Sequence, residues 1–172
     1  MKTKTLKLVP IVIFMFFVVQ LSAQKVAFVD TDYIMNQLSE YKEAQETLDN
    51  FSKKWQEEIE EKYAEIDELY KAYQAEQILL TDEMKQKREN EIISKEKQAK
   101  ELQRQRFGVE GDLFSKRQEL VKPIQDEIYS AIKDYATGRG YNIIFDKSQT
   151  NILYGDERYD KSEEILKRLG RD

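Results

Sequence analysis

The sequence has 172 residues, of which 35% are charged, and it contains neither cysteine nor histidine. The missing cysteines exclude disulfide bonds and a lipid-modified cysteine, and the missing histidines remove the commonest acid–base group and metal ligand at neutral pH. The formal net charge of −5 argues against sequence-independent nucleic-acid binding, which depends on neutralising phosphates.

The N-terminus has the order of a secretory signal peptide, over residues 1–23. Lys2, Lys4 and Lys7 precede the apolar run "LVPIVIFMFFVV", which is followed by "LSAQ". The run is too short for a comfortable membrane span, so cleavage after Ala23 is predicted, with an uncleaved anchor as the alternative. Cleavage would leave 25 basic and 33 acidic residues, a net charge of −8. We therefore expect an acidic, exported protein.

Two long amphipathic patterns occupy the middle of the chain. Apolar residues recur every three or four positions over residues 41–73 and again over 92–135, which is typical of helices with one apolar face. Helices over residues 32–78 and 82–136 would be about 70 and 80 Å long at 1.5 Å per residue. Neither length fits inside a compact domain of this size. We expect an antiparallel helical hairpin that projects from a small body, with its tip near residues 79–82.

The two predicted helices carry opposite charge excesses. Residues 40–76 hold twelve acidic and five basic side chains, whereas residues 85–106 hold eight basic and four acidic side chains. Pairing them would bring opposite signs together, which aligns the helices more than it stabilises them. The alternative is that both runs are ordinary solvated helix faces. Thr81 is predicted to cap the second helix, since its hydroxyl oxygen can accept a hydrogen bond from a first-turn N–H.

Three residues are candidates for flexible points in the second helix: Gly108, Gly111 and Pro123. Each glycine costs about 1 kcal/mol against alanine in a helix interior, yet the apolar pattern continues in phase across them through Val109. We interpret the pair as a soft point in a continuous helix, either a hinge or a place of close helix–helix approach. Pro123 is predicted to kink the helix near the body.

Short strand patterns lie at both ends of the mature chain. "YNIIFD" and "NILY" are predicted to pair as a hairpin across "KSQT", and "KVAFVD", residues 25–30, is predicted to join them. A two-stranded hairpin alone is marginal in water. Three short strands and the last amphipathic helix, "SEEILKRL", still make a thin core. We therefore expect several copies to assemble, since a joint barrel would remove the open sheet edges.

No catalytic, cofactor or metal site is predicted. Asp30 and Asp32 resemble the start of a calcium loop, but Ile34 and Met35 stand where a ligand and a glycine are needed. A strand end followed by a helix cap is the favoured interpretation. In a chain without His or Cys, no local context supports a nucleophile and its base. We therefore predict neither an enzyme nor a bound cofactor.

Long segments at both ends of the chain resemble one protein family. "QKVAFVDTDYIMNQLSEYKEA" resembles the opening of the OmpH/Skp family of periplasmic chaperones, and "LVKPIQDEIYSAIKDYATGRGYNIIFDKSQTNILYGDERYDKSEEILKRL" resembles its C-terminal part. With the charged helices between them, the resemblance spans the whole mature chain. It implies a homotrimer in which strands from three subunits form a small barrel and three helical hairpins, or tentacles, surround a cavity. The cavity would hold unfolded outer-membrane proteins in the periplasm, without ATP.

The resemblance also implies a fold that is mainly α with a small β body formed by both chain ends. Residues 24–40 and 115–172 would form the trimerisation body, and residues 41–114 would form the tentacle. Six apolar residues would belong to the body core: Val26, Phe28, Ile143, Phe145, Ile152 and Tyr154.

Aromatic residues on or beside the apolar helix face are candidates for contact with a client: Tyr63, Tyr70, Tyr73, Phe107 and Phe114. Packing against the partner helix is the alternative role of each. The best-known relatives are basic whereas this mature chain is acidic, so contact with a membrane surface or lipopolysaccharide is the weaker expectation. The competing function is a structural coiled-coil spacer or adaptor of the cell envelope without an unfolded client. Such a spacer would need no terminal β body.

Overall fold

The computed structural model describes residues 24–170, so the predicted signal peptide lies outside the described residues. The two strands are β1 (Val26–Val29) and β2 (Ile143–Asp146). The helices are α1 (Thr31–Gln37), α2 (Ser39–Glu76), α3 (Asp82–Phe107), α4 (Asp112–Arg139) and α5 (Ser162–Arg168), with a 3-10 turn at Glu157–Tyr159 before α5. The described chain is therefore mainly α-helical with a small sheet, as the sequence predicts.

The small sheet joins the two ends of the chain, and the predicted partner of β2 is confirmed. β1 and β2 pair in parallel, with Val26 opposite Ile143 and Phe28 opposite Phe145. A parallel pair needs a long crossover connection. Here helices α1 to α4 provide it, so the sheet is the base from which the long helices project.

The predicted antiparallel hairpin across "KSQT" is wrong, because "NILY" (residues 151–154) forms no strand. The Asp146 carboxylate accepts hydrogen bonds from the N–H and the hydroxyl of Ser148, and this local turn ends β2. The chain then crosses to the other edge of β1, where the Lys161 N–H donates to the Phe28 carbonyl at 2.9 Å. In the described part of the chain, the outer edge of β2 has no strand beside it.

The main hydrophobic core lies where α1, α4, α5 and the start of α2 meet the inner face of the sheet. Ile34 of α1, Ile165 of α5 and Val29 of β1 are its most deeply buried large side chains. The other buried members are Leu38, Ala44, Leu48, Val121, Ile124, Ile128, Ala131, Tyr135 and Leu166. Helix α2 packs on α4 near the body and on α3 farther out, so one helix runs from the core to the tip.

The stretch predicted as one helix over residues 32–78 forms two helices. Between α1 and α2, Leu38 is extended, with φ −80° and ψ 129°. Its side chain is buried in the main core, so burial of this residue holds the change of chain direction. Helix α2 then runs for 38 residues, about 57 Å at 1.5 Å per residue.

Helices α2 and α3 form an antiparallel hairpin, and the turn between them is residues 77–81. The Thr81 hydroxyl oxygen accepts a hydrogen bond from the Met84 N–H at 3.3 Å, which confirms its predicted capping role. Asp82 and Glu83 lie in the first turn of α3, where the helix dipole favours acidic side chains.

The second long helix is interrupted, so the predicted continuity across Gly108 and Gly111 is wrong. These glycines cap the end of α3 and the start of α4. Val109, expected on the apolar face, is fully exposed at 101% of its reference area. A Cβ on Gly108 would lie 2.3 Å from the Arg104 carbonyl oxygen, and Glu110 has a positive φ of 60°. The backbone at the break leaves no room for a Cβ, so the position requires glycine. Hydrophobic periodicity carries no information about this requirement.

Pro123 lies inside α4, which continues across it. The kink expected at this residue stays a prediction. Among the described residues, no helix has the length and apolar character required to cross a membrane.

Candidate functional site

A narrow apolar seam holds the distal part of the hairpin together. Ile66 of α2 and Ile92 and Ala99 of α3 are buried in it, with Leu69 and Tyr73 partly buried beside them. This cluster is separate from the main core. The seam is narrow, so polar side chains of both helices lie along its two sides.

One side of the seam, the ion-pair flank, is bridged by three salt bridges between α2 and α3. They are Glu58–Arg106 at 3.2 Å, Glu65–Lys95 at 2.6 Å and Glu76–Arg88 at 4.0 Å. The hydrogen bond from Lys95 is the largest influence that lowers the pKa of Glu65. These pairs confirm that the opposite charge excesses of the two helices meet, although exposed pairs contribute little stability.

The other side is the tyrosine flank. Helix periodicity places Tyr63 and Tyr70 of α2 and Glu89, Ile93 and Glu96 of α3 on it, opposite the ion pairs. The Tyr70 hydroxyl donates to the Glu96 carboxylate at 3.0 Å, which raises the pKa of Tyr70 and keeps the hydroxyl protonated. Tyr63, Tyr70 and Ile93 remain 40%, 41% and 59% exposed. Side chains with apolar surface therefore line this flank, in contrast to the paired charges of the opposite one.

The predicted client-contact residues divide into two groups. Tyr63, Tyr70 and Phe114 expose large apolar surface. Tyr73 donates its hydroxyl to Glu89 across the seam, and Phe107 packs edge-on against Trp55 with 6.4 Å between ring centroids. The last two are therefore packing residues to a large degree, and client contact by any of the five stays a prediction.

Ile93 is an exposed apolar residue that hydrophobic periodicity does not single out. The sequence contained a usable signal, because consecutive helical residues lie 100° apart. Ile92 and Ile93 therefore cannot both face α2. With Ile92 buried in the seam, Ile93 must lie on a flank.

Arg106 connects three helices beside the glycine break. Its guanidinium group bonds Asp112 of α4 at 2.5 Å and Glu58 of α2 at 3.2 Å, and it lies 5.2 Å from the Trp55 ring centroid. Its Nε is buried without a hydrogen-bond partner in the described structure. This contact set ties α3 to α4 and α2 where the backbone itself is interrupted.

The outer face of the sheet is apolar and incompletely covered in the single chain. Val26, Phe28, Ile143 and Phe145 share this face, since alternate strand residues point the same way. Ile143 and Phe145 are 45% and 43% exposed, whereas Ala27 on the opposite face is buried.

A largely apolar groove continues from this face toward the segment after β2. Phe28, Phe145, Ile152, Tyr154 and Tyr159 are among its lining residues. Ile152 is half-buried and Tyr154 is exposed, so all six predicted body-core residues lie on or near one surface that the single chain leaves open.

A polar cluster closes the carboxyl ends of both strands. The Lys147 ammonium lies 3.0 Å from Asp160 and 3.5 Å from Asp30, and its hydrogen bond to Asp160 raises the pKa of Lys147. Burial raises the pKa of Asp146, but hydrogen bonds from Thr31 and Ser148 outweigh burial and hold it below its ordinary value.

The aspartates of this cluster have structural roles. The Asp30 carboxylate accepts a hydrogen bond from the Tyr33 N–H at 2.8 Å and caps α1, which confirms the capping interpretation of "DTD". Within residues 24–170, no group of three acidic residues is arranged to hold a metal ion.

Comparisons with known proteins agree with this architecture. No curated protein matches the chain. A crystal structure of an OmpH-like protein from Caulobacter crescentus CB15, proposed as an outer membrane chaperone, superposes with a TM-score of 0.69 and 11% identity over 85% of this chain and 83% of that chain. The family model described as "Outer membrane protein (OmpH-like)" matches residues 25–169. The chain therefore belongs to the OmpH-like family of outer membrane proteins, which is not a family of enzymes.

Proposed function

We propose that this protein is an ATP-independent holdase chaperone of the periplasm. It binds unfolded outer-membrane proteins in a cavity between three helical hairpins and prevents their aggregation in transit. The observation that carries this proposal is the combination of a 38-residue helix that projects from the body with an apolar sheet face left half-exposed. Membership of the OmpH-like family and the chaperone role proposed for the similar Caulobacter protein support it.

The proposed assembly of the protein is a trimer. Residues 24–40 and 115–172 form the trimerisation body, and residues 41–114 form the tentacle. The apolar outer face of the sheet, with Ile143 and Phe145 nearly half-exposed, supports assembly because burial of such a face is worth about 25 cal/mol per Å². Joining sheets from three copies would also cover the open edge of β2.

The grip on the client is proposed to be mainly apolar. The mature chain is acidic, and attraction between exposed charges fades over about 8 Å at physiological salt. Ile78 and Leu79 at the hairpin tip are almost fully exposed, and Tyr63 and Tyr70 add partly exposed rings. Weak contacts of this kind can shift along a client of varied sequence.

The interruption at Gly108 and Gly111 is proposed to act as the hinge of the tentacle. Arg106 limits its movement through Glu58 and Asp112. Bending there would change the width of the cavity without unfolding either helix.

The test is a holdase assay without nucleotide. An outer-membrane barrel protein is diluted from urea with and without the mature chaperone, and light scattering reports its aggregation. The proposal predicts suppression at about one trimer per client, and full aggregation would support the envelope spacer instead. Charge reversal at Lys85, Lys87 and Arg88 near the tip serves as a control. Arg88 also bonds Glu76 across the seam, so circular dichroism must show that the reversed protein is folded. If that folded protein gives no protection, the basic segment holds the client and the apolar account is wrong.

A further inference from the structure

We propose that the hairpin presents its tyrosine flank to the client and turns its ion-pair flank away. This inference rests on the proposed holdase function and specifies the contact surface. The occupant is an extended segment of an unfolded outer-membrane protein, in which apolar and polar side chains alternate. The two sides of the seam differ in the chemistry that they offer to such a segment.

The position of Ile92 defines the two flanks on α3. Its side chain is buried against α2, and each helical residue is rotated 100° from the next. Glu91 and Ile93 therefore point to opposite sides of the seam. Glu91 lies 3.3 Å from Arg88, which also reaches Glu76 of α2, whereas Ile93 lies on the side of Glu96 and Tyr70.

The ion-pair flank offers little to an apolar segment. Its carboxylates and cations bind one another across the seam, with Glu65 and Lys95 2.6 Å apart. An apolar client on this side would remove water from paired charges without new partners for them, and such desolvation is unfavourable.

The tyrosine flank offers apolar surface, and two tyrosine hydroxyls beside it already have carboxylate partners. The Tyr70 hydroxyl donates to Glu96, and the Tyr73 hydroxyl donates to Glu89. These bonds hold the rings in place, so the partly exposed Tyr70 ring loses little side-chain freedom when a client contacts it. Ile93 is 59% exposed and adds an aliphatic surface on the same side of α3 as Glu96.

The exposed area suits a client segment better than a second copy of the hairpin. Aromatic side chains have about 150–250 Å² each, so Tyr63, Tyr70 and Ile93 together expose roughly 300 Å² at most. A stable protein–protein interface needs about 800 Å² on each partner. Lys97 and Lys100 lie next to Ile93 and Glu96 on α3 and line the same shallow depression. Charged side chains of both signs beside apolar ones match a client segment in which polar and apolar side chains alternate.

The absence of cysteine from the sequence permits a direct test. Ile93→Cys and Glu91→Cys, each in the full mature protein, carry a benzophenone–maleimide crosslinker on opposite flanks of α3. Each protein is mixed with a urea-diluted outer-membrane barrel protein and irradiated. We expect several-fold more crosslinked client from position 93 than from position 91. Equal yields, or more from position 91, would overturn the inference while aggregation remains suppressed.

A second pair of variants measures the energetic consequence. Tyr63→Ser should raise the Kd for client about three- to tenfold, the loss expected for one aromatic contact. Lys62→Ser, on the neighbouring position, is the matched control and should leave the Kd unchanged. Circular dichroism establishes that both variants are folded. An unchanged Kd for Tyr63→Ser, or an equal loss for Lys62→Ser, contradicts the assignment. If the unaltered protein fails to protect any client, the holdase function itself is overturned, together with this inference.

Discussion

Gly108→Ala should destabilise the protein, although alanine is the better helix former. The Cβ of alanine would lie 2.3 Å from the Arg104 carbonyl oxygen, which accepts the capping hydrogen bond from the residue 108 N–H at 2.8 Å. The contact partner is backbone, so relief requires the cap to move. Overpacking of this kind costs about 1–3 kcal/mol, against at most about 1 kcal/mol gained by restricting the unfolded chain.

Gly138→Ala is the matched control for this prediction. Gly138 lies in the last turns of α4, and no atom lies within 4 Å of an added Cβ. Alanine there should raise the free energy of unfolding by up to about 1 kcal/mol. Urea unfolding followed by circular dichroism, at one protomer concentration because assembly shifts stability, should therefore separate the two variants by about 2 kcal/mol. A Gly108→Ala protein as stable as Gly138→Ala would mean that the second helix is continuous and the break is wrong.

Four further predictions concern assembly, pH, salt and export. Ile143→Asp with Phe145→Asp should leave a folded single chain that no longer assembles, since a buried unpaired carboxylate costs several kcal/mol; a trimer in sedimentation would contradict this. Asp146→Asn should reduce stability at neutral pH and weaken the acid dependence of unfolding. Because the pKa of Asp146 is lowered in the folded protein, its ionised carboxylate stabilises the fold fully above the unfolded-state pKa of about 3.9. This stabilisation is lost as pH falls through the lower pKa of the folded state. An unchanged dependence of urea unfolding on pH would refute the role. Client protection should persist at about 0.5 M NaCl, where the Debye length is about 4 Å, and its loss would assign the grip to charge. Mass analysis of the exported protein should show Gln24 as the first residue, and retention of Met1 would exclude cleavage.

Hydrophobic periodicity predicted the long helices well, because their buried residues must recur on one face. Leu48, Ile59 and Ile66 are buried where the pattern places them. Tyr63 and Tyr70 fit the same three-and-four spacing but lie on a flank. Tyr70 can leave the seam at little cost because its hydroxyl bonds the Glu96 carboxylate, and the spacing of apolar residues does not reveal that partner.

The remaining errors concern backbone geometry. Leu38 interrupts a helix because its side chain is buried in the main core. Gly108 interrupts one where the backbone leaves no room for a Cβ. The 3.6-residue period of apolar residues reports neither cause. "NILY" has the composition of a strand, yet the turn at Asp146 and Ser148 leads the chain away from the open edge of β2. The chain reaches the far edge of β1, where the Lys161 N–H donates to Phe28. Strand propensity describes how a segment fits a half-buried sheet, and it does not reveal this change of direction.

The difference between the two flanks could be predicted only in part. Charge counts indicated that α2 and α3 would attract each other, but the register that brings Glu65 to Lys95 depends on the seam formed by Ile66 and Ile92. Once Ile92 is assigned to the seam, the position of Ile93 follows from helix geometry. The sequence therefore contains the flank assignment, provided that one residue of the seam is known.

The mass of the chaperone–client complex tests the central claim most directly. The mature protein is incubated with an outer-membrane barrel protein diluted from urea, and sedimentation equilibrium gives the mass of the soluble complex. The account predicts three mature chains with one client, formed without nucleotide. A single chain bound to the client, or a trimer that sediments alone while the client aggregates, would contradict it.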